Sequence, residues 1–138
     1  CPCGSETPYH ACCGVFHAET SYPETAEALM RSRYSAYVKK KVHYLFRTTH
    51  PNFREQQLRQ SLSESVERTT WLGLEIQETQ MGQVKDKIGK VRFIATFSEG
   101  PEIHEFREHS RFKRYQGKWH YCDAISGSRN KKSEAPID

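Results

Sequence analysis

At Thr69 the spacing of apolar residues in this chain changes from about 3.6 to two, and that change does most to limit its fold. Upstream, SYPETAEALMRSRYSAYVKKKVHYLF begins with Pro23, Glu24 and Glu27 and runs toward Lys39, Lys40 and Lys41, the charge order a helix dipole favours. Leu29, Met30, Arg33, Tyr34, Tyr37 and Val38 recur at three and four residues, so Arg33 and Tyr34 lie on or beside the apolar stripe of that helix. A short helical piece over Tyr44–Thr48 is expected to end before His50-Pro51, because the residue preceding proline is pushed out of helical angles. A further helix is expected over Arg54–Arg68, burying only a narrow face of Leu58, Leu62 and Val66. Downstream, Trp71–Thr79, Lys90–Ser98, Ile103–Tyr115 and Lys118–Ile125 read as strands separated by short Gly-containing turns. Helices first and then four hairpin-linked strands predict an α+β fold, with N-terminal helices packed on a four-stranded antiparallel sheet.

Strand parity assigns faces. Val91, Phe93, Ala95 and Phe97 share one face, as do Phe106, Glu108, Ser110 and Phe112, and Trp119, Tyr121 and Asp123. These aromatic-rich sets predict the core, so two carboxylates, Glu108 and Asp123, are expected to point inward. A buried carboxylate needs a cation or several donors, and Arg33 on the inward face of the first helix is the candidate. Arg92, Arg107, Arg111, Lys113 and His120 collect on the opposite face, which reads as solvated surface with an anionic partner or nucleic acid as the alternative. The small net charge of +4 does not by itself argue for nucleic acid.

The second constraint is CPCGSETPYHACCG, which places four of the five cysteines within thirteen residues. Bridging Cys1 to Cys3, or Cys12 to Cys13, would close very small, strained rings. Zinc instead needs four soft ligands at the corners of a tetrahedron, and two close pairs joined by a short loop supply them. Gly4-Ser5 can turn the chain so that backbone N–H groups face the sulfurs, and Gly14 is expected to do the same after the second pair. Zinc held by Cys1, Cys3, Cys12 and Cys13 is therefore the reading preferred here, with an oxidised or redox-active thiol cluster as the alternative. His10 and His17 flank the cluster and read as surface histidines. No stretch approaches the ~20 apolar residues of a membrane span, so no membrane role is expected, and a cytoplasmic location is.

The motif CPCGS…Tyr9…CCG resembles the SEC-C motif, a zinc knuckle also found at the end of the secretion ATPase SecA, where it contacts partner proteins. Glu6 stands where that motif usually has Gly, which makes a positive φ there costly. With LMRSRYSAY, WLGLEI and E-x-SRF also present, nearly the whole chain resembles the bacterial YchJ-type proteins, a family without an assigned activity. In that family a SEC-C knuckle precedes a nuclear transport factor 2-like (cystatin-like) cone, shared with ketosteroid isomerase. The resemblance implies a curved sheet around a long helix with a pocket at its wide end. It divides the chain into a knuckle over 1–20, a cone domain over 21–126 and, given that GSRNKKSEAPID has no apolar run, a disordered tail over 127–138.

Two functions follow as expectations. One is an adaptor whose knuckle docks on a protein or on nucleic acid; dimerisation of the cone through its exposed sheet is a further partner expectation. The other is a small-molecule enzyme of the isomerase or dehydratase kind, with Glu108 or Asp123 as general base, Tyr34 or Tyr37 as hydrogen-bond donor, and Arg33 and Trp71 in the same pocket. A structural Arg33–Glu108 pair locking helix to sheet is the competing explanation of those two residues.

Overall fold

The computed structural model describes the backbone of residues 1–134 and the side chains of residues 1–129. A 3-10 turn at Tyr9–Ala11 leads into α1 (Cys13–His17), followed by α2 (Ala26–Val38), α3 (Val42–Arg47), a 3-10 turn at Pro51–Phe53 and α4 (Leu58–Arg68). Four strands complete the chain: β1 (Thr70–Met81), β2 (Ile88–Glu99), β3 (Glu102–Tyr115) and β4 (Lys118–Glu134). They form one antiparallel sheet in the order β1-β2-β3-β4, the α+β arrangement expected from the change of period.

Helix α2 starts where Thr25 Oγ1 accepts the Ala28 N–H, a side-chain N-cap, with Glu27 in the first turn. It lies on the sheet: Ala26, Leu29, Met30 and Tyr34 form one core with Val91, Phe93, Ala95, Phe112 and Trp119. Its start is pressed against the β1–β2 hairpin. Ala26 N–H donates to the Gly82 carbonyl at 2.9 Å, and a Cβ on Gly82 would sit 2.7 Å from that of Ala26. A second cluster, Ala36, Tyr44, Leu45, Leu62 and Val66, joins α2 to α3 and α4.

Helix α4 begins at Leu58, four residues later than its pattern predicts. Arg54 is extended, and its guanidinium binds the carbonyls of Thr49 (2.8 Å) and Arg47 (3.0 Å), which keeps residues 54–57 out of the helix. The preceding segment runs beside β4: Tyr121 N–H donates to Thr48 O and His50 N–H to Tyr121 O, both at 2.8 Å. This cover explains why His120, expected on the solvated face, is only 9% exposed; it packs against His50 and Tyr115 instead.

Strand β4 departs from expectation twice. Residues 127–134, expected to be disordered, continue the strand and pair with β3 as far as Glu102↔Glu134. What orders them is not apolar burial but the ladder offered by the long β3, whose first half would otherwise be an open edge. The remainder of the expected tail, 135–138, lies outside the described residues. Between the pairs Phe112↔Tyr121 and Arg111↔Asp123, β4 also carries one extra residue, Cys122, a bulge that reverses the strand's parity. Asp123 is thereby turned to the outer face, where Arg111 holds it through Nε–Oδ1 (2.7 Å) and Nη2–Oδ2 (2.6 Å). On the same face Arg107 bonds Glu105 and Arg92 sits 3.8 Å from Glu78, so its guanidinium groups are interleaved with carboxylates.

Candidate functional site

Helix α2 has a different chemical neighbourhood on each side. Glu27, Arg31 and Ser35, spaced by four, face the N-terminal segment; Met30, Arg33, Tyr34 and Tyr37, spaced by three and four, face the sheet.

On the first side, the sulfurs of Cys1, Cys3, Cys12 and Cys13 all lie within 4.8 Å of one another, and none is in a disulfide. Cys3–Cys12 is 3.7 Å and Cys12–Cys13 is 3.9 Å. A Zn–S bond of about 2.3 Å places tetrahedral sulfurs about 3.8 Å apart, so the four fit one such ion. Burial pushes the Cys13 thiol up to about 12, with the neighbouring Cys3 and Cys12 adding to the effect; a bound cation would reverse that penalty. Outer hydrogen bonds are in place: Ser5 Oγ lies 3.1 Å from Cys12 Sγ and Ser35 Oγ 3.4 Å from Cys1 Sγ. Glu6 does take the left-handed conformation, φ 65°, despite its side chain. Gly14 is not a turn but the second residue of α1, where a Cβ would lie 2.7 Å from the Tyr9 carbonyl oxygen.

This knuckle is fastened to the helices rather than projecting from them. Arg31 Nη1 donates to the Cys3 carbonyl (2.7 Å) while its Nε holds Glu27, and Arg47 Nη2 donates to the Phe16 carbonyl (3.1 Å). His17 is no surface residue: its Nε2–H donates to Ser32 O (2.8 Å) and its Nδ1 accepts from Tyr9 Oη (2.5 Å). Burial lowers its pKa, with Lys41, Arg47 and Lys39 adding to the effect, so the ring is neutral and both nitrogens are used within the protein. It offers no ligand atom to a metal. His10 is exposed, as expected.

On the other side is a cavity of about 290 Å³ between α2, the end of α4 and the sheet, walled mainly by Tyr34, Tyr37, Trp71, Phe93, Phe97 and Phe106. Five of the six residues singled out in the sequence, Arg33, Tyr34, Tyr37, Trp71 and Glu108, line it together; Asp123, turned outward by the bulge, does not. Tyr121, absent from that set, is the missed member. Parity placed it on the inner face, but nothing in the sequence marked it as the link between the two charged groups.

That link replaces the expected ion pair. Arg33 is 6% exposed, and its Nη1 donates to Leu45 O (2.9 Å), Thr48 Oγ1 (2.8 Å) and Thr49 Oγ1 (3.3 Å), all on or just after α3. Its guanidinium carbon stands 4.7 Å from the centre of the Tyr121 ring, whose hydroxyl donates to Glu108 Oε2 at 3.2 Å. Ser110 Oγ donates to the same oxygen. Among the described residues, the side-chain hydrogen bonds of Glu108 thus all fall on Oε2 and none on Oε1.

Burial raises the Glu108 pKa above its ordinary 4.5, while the bonds from Ser110 and Tyr121 and the charge of Arg33 oppose the rise. The folded protein therefore binds the proton more tightly than the unfolded chain. The stabilisation from Glu108 is complete below 4.5 and is lost as pH rises through its raised value. Glu108→Gln, which mimics the protonated group and keeps both donors satisfied, is expected to leave the neutral-pH melting temperature unchanged or higher and to flatten its decline above the carboxylate range. Melting curves across pH check this, and a lower melting temperature in the variant contradicts it.

Residues 25–124 match the family described as YchJ, middle NTF2-like domain. A UPF0225 protein of Pectobacterium carotovorum is 37% identical over 141 residues, spanning 100% of this chain and 90% of the relative. Another, from Serratia proteamaculans, is 38% identical over 138 residues, spanning 99% and 89%. Among solved structures, a SEC-C motif containing protein from Rhodopseudomonas palustris superimposes with a TM-score of 0.82 at 33% identity, covering 91% of this chain and 97% of the other. One from Psychrobacter arcticus gives 0.73 at 27% identity, covering 89% and 80%.

Proposed function

The chain belongs to the YchJ-type UPF0225 family, and on that premise we propose that it is a small-molecule-binding protein whose ligand site is the cone cavity and whose SEC-C knuckle is a zinc-held brace on α2. The observation that carries this reading is the cavity itself, where the buried Arg33 guanidinium and the Glu108 carboxyl, whose pKa is raised, converge among aromatic walls. Sites for small ligands are commonly apolar hollows of about 300 Å³ or more with a few directed polar groups. A compact ring compound would lie against the contacting rings of Trp71 and Phe97, with an acceptor toward Arg33 and a donor toward Oε1 of Glu108. Should that donor be acidic, Glu108 is the group suited to take its proton.

Four thiolates around zinc would close its coordination, so the ion would supply folding energy and no open position for chemistry. The adaptor role has less support, because the knuckle's contacts with Ser32, Ser35 and Arg47 tie down a face that a docking module would present.

The test is a screen of small aromatic and alicyclic compounds by amide and indole NMR. Ligand-induced shifts are expected at Tyr37, Trp71, Phe97 and Glu108, and are expected to vanish in Ala95→Leu, which fills the cavity from its floor and should melt within a few degrees of the parent. Shifts that map to residues 1–20, or that persist in Ala95→Leu, count against the cavity.

A further inference from the structure

A second recess, of about 310 Å³, lies at the β3–β4 hairpin end of the domain, between the segment preceding α2, the end of α3 and the hairpin. Three permanent cations line it, Arg47, Arg54 and Lys118, against one carboxylate, Glu19. Glu19 is already engaged, 2.9 Å from Arg47 Nε, so among the described residues Arg54 and Lys118 remain without a carboxylate. Arg54 uses Nε and Nη2 on backbone carbonyls, leaving Nη1 without an acceptor among the described residues, and Lys118 Nζ rests 4.0 Å over the Tyr22 ring.

A third group points the same way. His120 is nine-tenths buried in the wall of this recess, and its Nδ1–H donates to Lys118 O at 2.9 Å. Among the described residues its Nε2 has no hydrogen-bond partner. The ring as a whole is buried, and its free nitrogen stands in the same recess as the two cations, where a ligand atom can reach all three.

We propose that this recess is a binding site for a phosphate group, held by Arg54, Lys118 and the Nε2 of His120. Phosphate suits it better than a carboxylate because its charge of about −1.5 to −2 matches the two unmatched cations and its several oxygens can engage three separate donors. Tyr22 and Tyr115 at the rim would flank whatever organic part the ligand carries. The histidine is held neutral chiefly by burial, with Arg54, His50 and Arg33 adding to the effect; Lys118 and Tyr115 also face it. An anion at Nε2 would favour the imidazolium, so binding should raise the pH at which His120 titrates.

The experiment is an NMR titration of the metal-replete protein with inorganic phosphate, glycerol phosphate and acetate at constant ionic strength. Saturable shifts at Tyr22, Lys118 and His120 with both phosphates, an upward move of the His120 titration, and roughly tenfold weaker binding in Lys118→Gln are expected. Stronger binding of glycerol phosphate than of inorganic phosphate would assign the site to an organic phosphate, and equal binding to the free ion. Arg92→Gln, on the outer sheet face, should change nothing. Shifts that do not saturate, that acetate reproduces, or that Lys118→Gln leaves intact overturn the site.

Discussion

If the four sulfurs hold zinc, as proposed, its removal is expected to melt residues 1–20 while leaving the sheet and α2 folded. Within that segment only Cys3 and Cys13 are buried, and both are sulfur donors, so it has no apolar core of its own. Its one α-helix, Cys13–His17, has five residues, far below the length at which an isolated helix persists in water. Bound zinc in small structural sites contributes about 10–16 kcal/mol, which dwarfs the surface contacts through Arg31 and Arg47. The cone has independent support in the α2–sheet core, whose members come from Ala26 onward. Amide spectra before and after a strong chelator should therefore show residues 1–20 collapsing to unstructured shifts while β2 and β3 keep theirs. A segment that stays ordered without metal would contradict the brace, and loss of the β2 and β3 signals would show that the cone depends on it.

The second large effect is expected at Arg33. Arg33→Met keeps most of the side-chain volume but removes every bond that Nη1 makes to Leu45, Thr48 and Thr49, together with the contact on the Tyr121 ring. Buried charge-assisted hydrogen bonds and partners left unpaired together cost about 3 kcal/mol here, which for a domain of this size lowers the melting temperature by roughly 10 °C. Arg33→Lys should recover little, because one ammonium cannot reproduce a planar fork stacked on a ring. Paired with Glu108→Gln, the result separates two roles: Arg33 ties α2 to α3 and Glu108 is free of that duty. A Met variant as stable as the parent would contradict the role given to Arg33.

The sequence carried the sheet well because alternation is a local signal: Val91, Phe93, Ala95 and Phe97 are all at most 4% exposed, as their parity requires. It placed Arg33 and Glu108 on facing inner surfaces for the same reason. Three misreadings share a cause, contacts between distant residues that no local period encodes. Asp123 follows parity only until a bulge at Cys122 reverses it, and that bulge is a matter of register with β3. His120 is buried because the segment after α3 pairs alongside β4. Residues 127–134 are ordered by a neighbouring strand's unpaired backbone, although their own composition reads as disorder. His17 likewise read as a surface histidine, and only the positions of Tyr9 and Ser32 show that both its nitrogens are bonded within the protein.

Helix α2 serves as a wall shared by a metal knuckle and a cavity only if the four sulfurs hold an ion. Native mass spectrometry of protein purified under reducing conditions, without added metal, reads this out in one spectrum. One zinc ion per chain is expected, retained in Ala95→Leu and lost from Cys13→Ser. A metal-free chain, with its cysteines as free thiols or as two disulfides, would contradict it.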